Sequence, residues 1–268
     1  MINAKFHHVV KGVCMGLLAV TSLSSYAIEN GQHDYRHHNV GVLGFDIDGP
    51  GQDTFPTIGF CSGFVISDRA FVTAAHCIVP IGDLAQSWAV TLEPGTPENP
   101  VVQPGIYTGA NLFDFTMLVE TIHTTAVHLH PGFDPGSLTL DVAVFEFPPG
   151  TFNVRPVRLP EPYYLDELDI QGVLNLRPLG LVGYGAQALT NEGLAMPGYR
   201  SRGFSKVSGI TDNQLLLTPS DVFDTMLMPG DSGSPQFISG RVVSLGGDVE
   251  LQRLDIPEIL GFLAPFIE

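Results

Sequence analysis

Short apolar runs separated by turn-forming residues dominate this 268-residue sequence. Glycine occurs 30 times and proline 21 times, both spread along the chain, and only 15% of the residues are charged. This spacing is typical of many short strands joined by turns and does not suit a helical bundle. The length allows one large β unit or two small barrels, and either can bury a sizeable core.

The runs form two series, one from Val40 to Phe147 and one from Val173 to Leu245, with Pro148-Pro149-Gly150 between them. Residues 142–147 are apolar on both alternating faces except at Glu146, which is typical of a strand buried on both sides. Residues 93–110 have the composition of a long loop or a pair of hairpin tips. The sequence predicts an all-β fold of two six-stranded antiparallel barrels packed side by side.

One short helix is predicted, at about residues 256–264. Asp255 and Glu258 have the spacing of a capping box, and Pro265 ends the pattern. The apolar residues recur at helical spacing: Ile256, Ile259, Leu260 and Leu263.

The first 27 residues have the pattern of a secretory signal peptide. Lys5 and Lys11 precede an apolar run at 13–23, and Ser25-Tyr26-Ala27 places small residues before a cleavage point. The run is much shorter than the ~20 residues that span a bilayer. We expect cleavage near Ala27, a secreted or periplasmic protein, an N-terminal barrel at 28–150 and a C-terminal barrel at 151–268.

Charge and cysteine content limit the partners and the compartment. With 12 basic and 28 acidic residues the net charge is −16, and loss of the two leader lysines makes it −18. Such a surface disfavours nucleic acid and anionic membranes as partners. Cys61 and Cys77 are the cysteines left after export, and an even pair in an oxidising compartment predicts one disulfide.

A serine lies on a predicted tight turn in Gly230-Asp231-Ser232-Gly233-Ser234-Pro235. Glycines on both sides leave room for a substrate carbonyl to approach the hydroxyl. The N–H groups of Gly230 and Ser232 can point to one position, as an oxyanion hole requires. Taken alone, the motif also fits an ordinary Gly/Ser turn.

Two further segments supply partners for a reactive serine. The run Val72-Thr73-Ala74-Ala75-His76-Cys77 ends a strand in a histidine beside the cysteine expected to bridge to Cys61. Asp141 opens the buried strand at 141–145, where an unpaired charge is costly, and an imidazolium N–H would satisfy it.

In the order His76, Asp141, Ser232, these segments resemble the chymotrypsin/trypsin-like serine protease family, from which the general description of the Ser-His-Asp triad is drawn. The resemblance covers about residues 28–268. Four more motifs are similar to those of the family: Cys61-Ser62-Gly63-Phe64-Val65-Ile66, His130-Pro131-Gly132-Phe133, Val182-Gly183-Tyr184-Gly185 and Ser244-Leu245-Gly246.

The resemblance implies Greek-key barrels and a secreted, bacterial-type endopeptidase with a single disulfide, acting on protein or peptide substrates. It implies no metal and no organic cofactor, and we expect a monomer. Ser232 would be the nucleophile, His76 the general base and acid, and Asp141 the residue that fixes the histidine tautomer. Ser244 would donate a hydrogen bond to Asp141.

The family's activation pair is an N-terminal ammonium and the aspartate before the nucleophile, here Asp231. Ile28-Glu29-Asn30-Gly31 begins with a suitable residue at the predicted cleavage point. We therefore expect signal peptidase itself to create the active N-terminus at Ile28. The alternative is a cut elsewhere, with Asp231 held by other groups.

The family's substrate pocket falls on Met226, Leu227, Ser244, Leu245 and Gly246. Met226 at its floor predicts a preference for apolar P1 residues, those just before the scissile bond. Met228 replaces a cysteine that is usual in the family, so the register there is open. A shift of two residues brings Asp224 to the floor and predicts trypsin-like specificity for basic residues.

A different class of function is a catalytically weak or inactive binding or adhesion module that kept the fold. The intact His76, Asp141 and Ser232 argue against it. The histidines His33, His37 and His38 do not have metal-ligand spacing in an extended segment, and a calcium loop at Glu93 and Glu98 is less favoured than a solvated turn.

Overall fold

The computed structural model describes residues 28, 31–46, 58–82, 85–102, 105–107, 121–217, 226–247 and 250–267. Within these ranges no helix has the length and apolar character needed to cross a membrane. The helices are α1, Tyr164–Ile170, and α2, Pro257–Leu263. The strands in chain order are β1 Gln32–His33, β2 Val40–Asp46, β3 Ile58–Ser67, β4 Ala70–Thr73, β5 Ser87–Thr91, β6 Gly105–Tyr107, β7 Ile122–His123, β8 Ala126–Leu129, β9 Ala143–Glu146, β10 Pro178–Gly183, β11 Ala188–Thr190, β12 Gly193–Met196, β13 Ser201–Ile210, β14 Gln214–Leu217, β15 Pro235–Ile238, β16 Arg241–Leu245 and β17 Glu250–Arg253.

The first sheet is a curled antiparallel sheet in the order β7-β5-β2-β3-β4-β9-β8. Its interior is rich in phenylalanine, with Phe64, Phe71 and Phe145 completely buried. Ala143 and Val144 of β9 are also completely buried, as the apolar run predicted. Each buried large side chain contributes about 1.5–3 kcal/mol, so this core is a main source of stability.

The second sheet closes into a barrel. Its order is β1-β13-β10-β15-β16-β17-β14, and β14 also pairs with β13, so six strands form a ring with β1 at its outer edge. Strand β13 alternates between buried and exposed residues over most of its length, because one face lines the barrel core and the other faces outward. The prediction of an all-β fold with two barrel-like sheets and a terminal helix is confirmed.

A third, three-stranded sheet joins the two halves of the chain. Strand β6 lies in the segment predicted to be a long loop or hairpin tips, and it pairs with β12, which pairs with β11. The partner of β6 lies about 90 residues away in the sequence. Local sequence patterns carry no information about such distant strand pairing.

Each end of the chain packs against the barrel formed mainly by the other half of the sequence. Ile28 lies in the core of the second barrel, and β1 pairs with β13. Ile259 and Leu263 of α2 pack into the core of the first sheet. The boundaries at 28–150 and 151–268 stay a prediction, and these contacts show that each barrel is completed by the opposite end of the chain.

Two expectations about helices are wrong. Helix α1 was not predicted, because its seven residues offer only Leu165 and Leu168 as buried positions. The capping box at α2 does not form: Ile256 is the N-cap, without a side-chain hydrogen bond. The Asp255 carboxylate instead accepts hydrogen bonds from the N–H of Leu165 at 2.7 Å and from Arg253 Nε at 2.9 Å.

Candidate active site

His76 and Asp141 are brought together by the pairing of β4 with β9. All of β4 is buried, and the chain leaves it through a 3₁₀ turn, Ala75–Cys77, that carries the histidine. Asp141 lies two residues before β9. Its Oδ1 accepts the backbone N–H of His76 at 2.8 Å, and its Oδ2 lies 2.6 Å from Nδ1 of the same residue. This double contact orients the imidazole, with Nδ1 as donor and Nε2 available for a reaction.

The predicted disulfide between Cys61 and Cys77 is present, with the two Cα atoms 6.4 Å apart. Cys61 lies in β3 and Cys77 ends the turn that carries His76. The bridge therefore fastens the turn that carries His76 to the first sheet.

The serine turn packs against the first sheet. The N–H of Ser62 donates to the carbonyl of Ser232 at 2.8 Å. Gly233 has a φ of +79°, and a Cβ there would lie 2.2 Å from Oγ1 of Thr73 and 2.4 Å from the carbonyl oxygen of Ser62. Only glycine fits this conformation and this contact, so the close approach of the two halves of the chain requires glycine after Ser232.

The backbone of the turn has two N–H groups available at Gly230 and Ser232. The N–H groups of Gly230 and Ser232 donate no hydrogen bond to any of the described residues. The carbonyl of Gly230 accepts the Ser62 hydroxyl at 2.9 Å, which fixes the orientation of the next peptide unit. An oxyanion hole requires two backbone N–H groups that are not already engaged, and this turn has them.

His76 and Ser232 line one cavity of about 510 Å³. No hydrogen bond between Ser232 Oγ and His76 Nε2 occurs within the described part of the chain, and such catalytic contacts are often long before substrate binds. Gly230 and the disulfide also line this cavity. Most of its remaining lining is apolar: Val79, Pro80, Ile81, Phe133, Pro135 and Leu138.

Asp231 is completely buried. Its Oδ1 accepts the N–H of Gly185 at 2.8 Å, and its Oδ2 accepts the N–H of Met228 at 3.0 Å. Burial raises the pKa of Asp231 to about 7, although the two backbone donors act in the opposite direction. Asp231 forms no ion pair with any residue that the structure describes.

Ile28, the predicted partner of Asp231, is also completely buried. It belongs to the same apolar cluster as Leu227, the neighbour of Met228. Its φ is +53°, a conformation that β-branched residues rarely adopt. The φ angle is defined only when a residue precedes Ile28. Cleavage of the peptide bond before Ile28 would therefore remove this backbone constraint.

Most of the residues predicted to form the substrate pocket lie in the interior. Leu227, Ser244 and Leu245 are buried, and none of the five predicted residues lines the cavity beside His76. Gly246 donates its N–H to the carbonyl of Ser234 and accepts the N–H of Gly233, both at 2.8 Å. Met226 is half-buried, and Asp224 lies outside the described residues. The pocket assignment stays a prediction.

The expected hydrogen bond from Ser244 to Asp141 is wrong for this conformation. The hydroxyl of Ser244 donates to Oε1 of Gln236 at 2.9 Å, and a hydroxyl has one proton to donate. A different residue supports Asp141: its backbone N–H donates to Oε1 of Gln252 at 3.1 Å. Gln252 is buried in β17, but that strand also contains Glu250 and Arg253, so no sequence pattern singles out this contact.

The histidines near Ile28 have ordinary partners. His33 Nε2 lies 2.8 Å from the carbonyl of Gly95, and His37 Nδ1 lies 2.9 Å from Oδ1 of Asp34. Over the described ranges, no group of three or more histidine, cysteine, aspartate and glutamate side chains is arranged to hold a metal ion.

Comparison with known proteins identifies the family to which this chain belongs. The family model described as Trypsin matches residues 50–254. Two solved structures share the fold: the HL collagenase has a TM-score of 0.60 at 20% identity, and GrC has 0.57 at 16%. Each alignment covers 88% of this chain. The alignments also cover 97% of the collagenase chain and 96% of the GrC chain.

A curated human relative, inactive serine protease PAMR1, is 28% identical over 86 residues. That match covers 32% of this chain and only 11% of the relative, so the chain spans a small part of that protein's length. The family match extends over most of the chain and includes His76, Asp141 and Ser232. The chain belongs to the trypsin family of chymotrypsin/trypsin-like serine proteases.

Proposed function

We propose that this protein is a serine endopeptidase that hydrolyses peptide bonds through Ser232, His76 and Asp141. One observation carries the proposal: Asp141 contacts His76 at two points, and the histidine shares a cavity with Ser232. The unused N–H groups of Gly230 and Ser232 support it. The mechanism requires these groups together, and any one of them alone has an ordinary structural explanation.

In the proposed reaction, Ser232 Oγ bonds to the carbonyl carbon of the substrate and its proton passes to His76 Nε2. The oxyanion accepts hydrogen bonds from Gly230 and Ser232, and Asp141 stabilises the imidazolium. His76 then gives its proton to the leaving amine, which leaves an acyl-enzyme. Water attacks the ester, its proton passes to His76 and returns to Ser232, and the acid product is released.

A fluorophosphonate probe tests this proposal directly. The secreted protein should become labelled at Ser232 and should cleave an unfolded protein substrate. The variant Ser232→Ala should lose both properties while its unfolding temperature stays within a few degrees of the wild type. Equal labelling of the two proteins, or none of either, would contradict the proposal.

We also propose activation at Ile28. A buried Asp231 whose described contacts are two backbone N–H groups would gain an ion pair from an ammonium at Ile28, and the Ile28 side chain already belongs to the adjoining core. N-terminal sequencing of the secreted enzyme should give Ile28. Another start in a fully active preparation would exclude this step.

The proposed specificity is for apolar P1 residues. Met226, predicted at the pocket floor, and its neighbour Leu227 are both apolar. Matched peptide substrates with Phe, Leu or Arg at P1 should rank by kcat/KM with Arg last. The reverse order would favour Asp224 as the pocket residue and trypsin-like specificity.

The second candidate is a binding or adhesion module without efficient catalysis. The paired backbone of Gly246 and the buried Leu245 favour it, because this conformation offers no open strand to a substrate. The short match to an inactive human relative points the same way. The probe experiment separates the two candidates, since a binding module would leave Ser232 unlabelled.

A further inference from the structure

The side chain of Met196 lies against the turn that carries the proposed oxyanion donor. A Cβ built on Gly230 would lie 3.2 Å from Cε of Met196 and 2.9 Å from Cα of Gly185. Met196 is 7% exposed, so its methyl group occupies interior space beside this turn. Met196 ends strand β12, in the hairpin of the second half of the chain.

A segment of the first half holds this methionine in place. Strand β6 pairs with β12, and Gly105 lies opposite Met196 in the register. Two residues further on, the carbonyl of Gly198 accepts the N–H of Val101 at 2.8 Å and that of Val102 at 3.2 Å.

The approach of the two segments is close over their whole length. A Cβ on Gly198 would lie 2.0 Å from the carbonyl oxygen of Val102, and the N–H of Arg200 donates to the carbonyl of Pro94 at 2.7 Å. Residues 94–102 and 105–107 therefore lie along residues 194–200 and fix the position of Met196.

The Gly230 turn needs such support on this side. Gly230 has a φ of +98°, a region that glycine enters with little cost, so its peptide units rotate more easily than those of other residues. The Ser62 hydroxyl holds its carbonyl. On the side where a Cβ would project from Gly230, the nearest atoms belong to Gly185 and Met196. Donors of an oxyanion hole are effective only when they are fixed before the charge develops.

We propose that Met196 is a positioning residue for the oxyanion hole, and that residues 94–102 and 105–107 set its position from the other half of the chain. The methyl contact restrains Gly230, so its N–H points to the place where the oxyanion forms. This inference rests on the proposed protease function and deepens it. It assigns a role in catalysis to the strand pairing between β6 and β12.

Steady-state kinetics on three variants test the role. Met196→Ala should lower kcat about tenfold to a hundredfold, which is no more than the effect of removing one oxyanion donor. KM should stay within about twofold of the wild-type value. Met196→Leu should recover most of the loss, because it refills the space. Leu194→Ala is the matched control, since Leu194 lies in the same strand and packs against the core without being among the atoms nearest Gly230.

A peptide aldehyde, which forms a tetrahedral adduct with a reactive serine, separates positioning from general damage. Its inhibition constant should rise across the variants in parallel with KM/kcat, because both depend on stabilising the same oxyanion. Unfolding temperatures of Met196→Ala and Leu194→Ala should be similar. Equal kcat values for those two variants would overturn the inference while leaving the protease proposal intact. A wild type without activity or probe labelling would overturn both.

Discussion

Asp141 holds His76 by two hydrogen-bonding contacts, one to the backbone N–H at 2.8 Å and one to Nδ1 at 2.6 Å. The backbone contact fixes the turn and the side-chain contact fixes the ring, so one carboxylate sets both the position and the tautomer of the histidine. The carboxylate is nearly completely buried, whereas the imidazole is partly exposed to the cavity. This is the geometry that general-base catalysis by Nε2 requires.

The variant Asp141→Asn should keep the fold and lose activity. The two donors face different oxygens of Asp141. An amide has its acceptor oxygen at one of these positions and an NH₂ group at the other, so the opposite tautomer of His76 becomes favoured. We expect kcat to fall about 10⁴-fold, as in the family's general description. Asp134→Asn, an exposed aspartate nearby in the chain, is the control and should change kcat little. A small effect of Asp141→Asn would remove Asp141 from the mechanism.

Two glycines with the same backbone conformation should respond differently to alanine. Gly233 has a φ of +79° and Gly240 has +76°, but a Cβ on Gly240 meets no atom within 4 Å. Gly240→Ala should lower the free energy of unfolding by about 1–2 kcal/mol from backbone strain alone. Gly233→Ala should cost clearly more, because its Cβ would collide with Thr73 and Ser62. Urea denaturation measures both, and equal losses would show that the two halves are less closely packed there.

Removing the disulfide should destabilise the protein and disturb the site. The bridge closes a loop with a sequence separation of 16 residues, worth about 3 kcal/mol on the chain-entropy model. The double variant Cys61→Ala with Cys77→Ala should lose about this much free energy of unfolding, and kcat should also fall because the His76 turn is released. The wild type under reducing conditions is the comparison. Retention of full stability after reduction would contradict this account.

The pH dependence of stability should reveal the environment of Asp231 in a chain that retains residues before Ile28. The folded-state pKa of about 7 lies above the ordinary value of about 3.9, so the folded state keeps a proton that the unfolded state releases. The free energy of unfolding should therefore fall as the pH rises from about 4 to about 7. Asp231→Asn should remove this fall and should be the more stable protein at pH 8.

The same substitution in a chain that begins at Ile28 should have the opposite sign. There an ammonium beside Asp231 lowers the pKa of the carboxyl, and loss of the ion pair destabilises the protein at neutral pH. Both chains carry Ser232→Ala to prevent self-cleavage, and urea denaturation between pH 4 and 8 gives the comparison. The same response in both chains would refute pairing of Ile28 with Asp231.

The sequence alone determined the class of fold and the residues of the proposed mechanism. Alternating short runs and turns predicted the two barrel-like sheets, because strand patterns are local. The cysteine pair predicted the disulfide, and the segments around His76, Asp141 and Ser232 were recognisable by their neighbours. These features depend on a few adjacent residues, which is why they are visible in one dimension.

Only the tertiary structure determined the contacts between segments that are far apart in the sequence. It directed the Ser244 hydroxyl to Gln236 and placed Gln252 behind Asp141. It also buried Leu245 and brought β6 beside β12, so that Met196 contacts the Gly230 turn. These contacts depend on how two barrels pack, and hydrophobic periodicity does not specify which polar group or methyl group faces another across that packing. The sequence therefore predicted the reacting groups, and only the folded structure showed which residues lie against them.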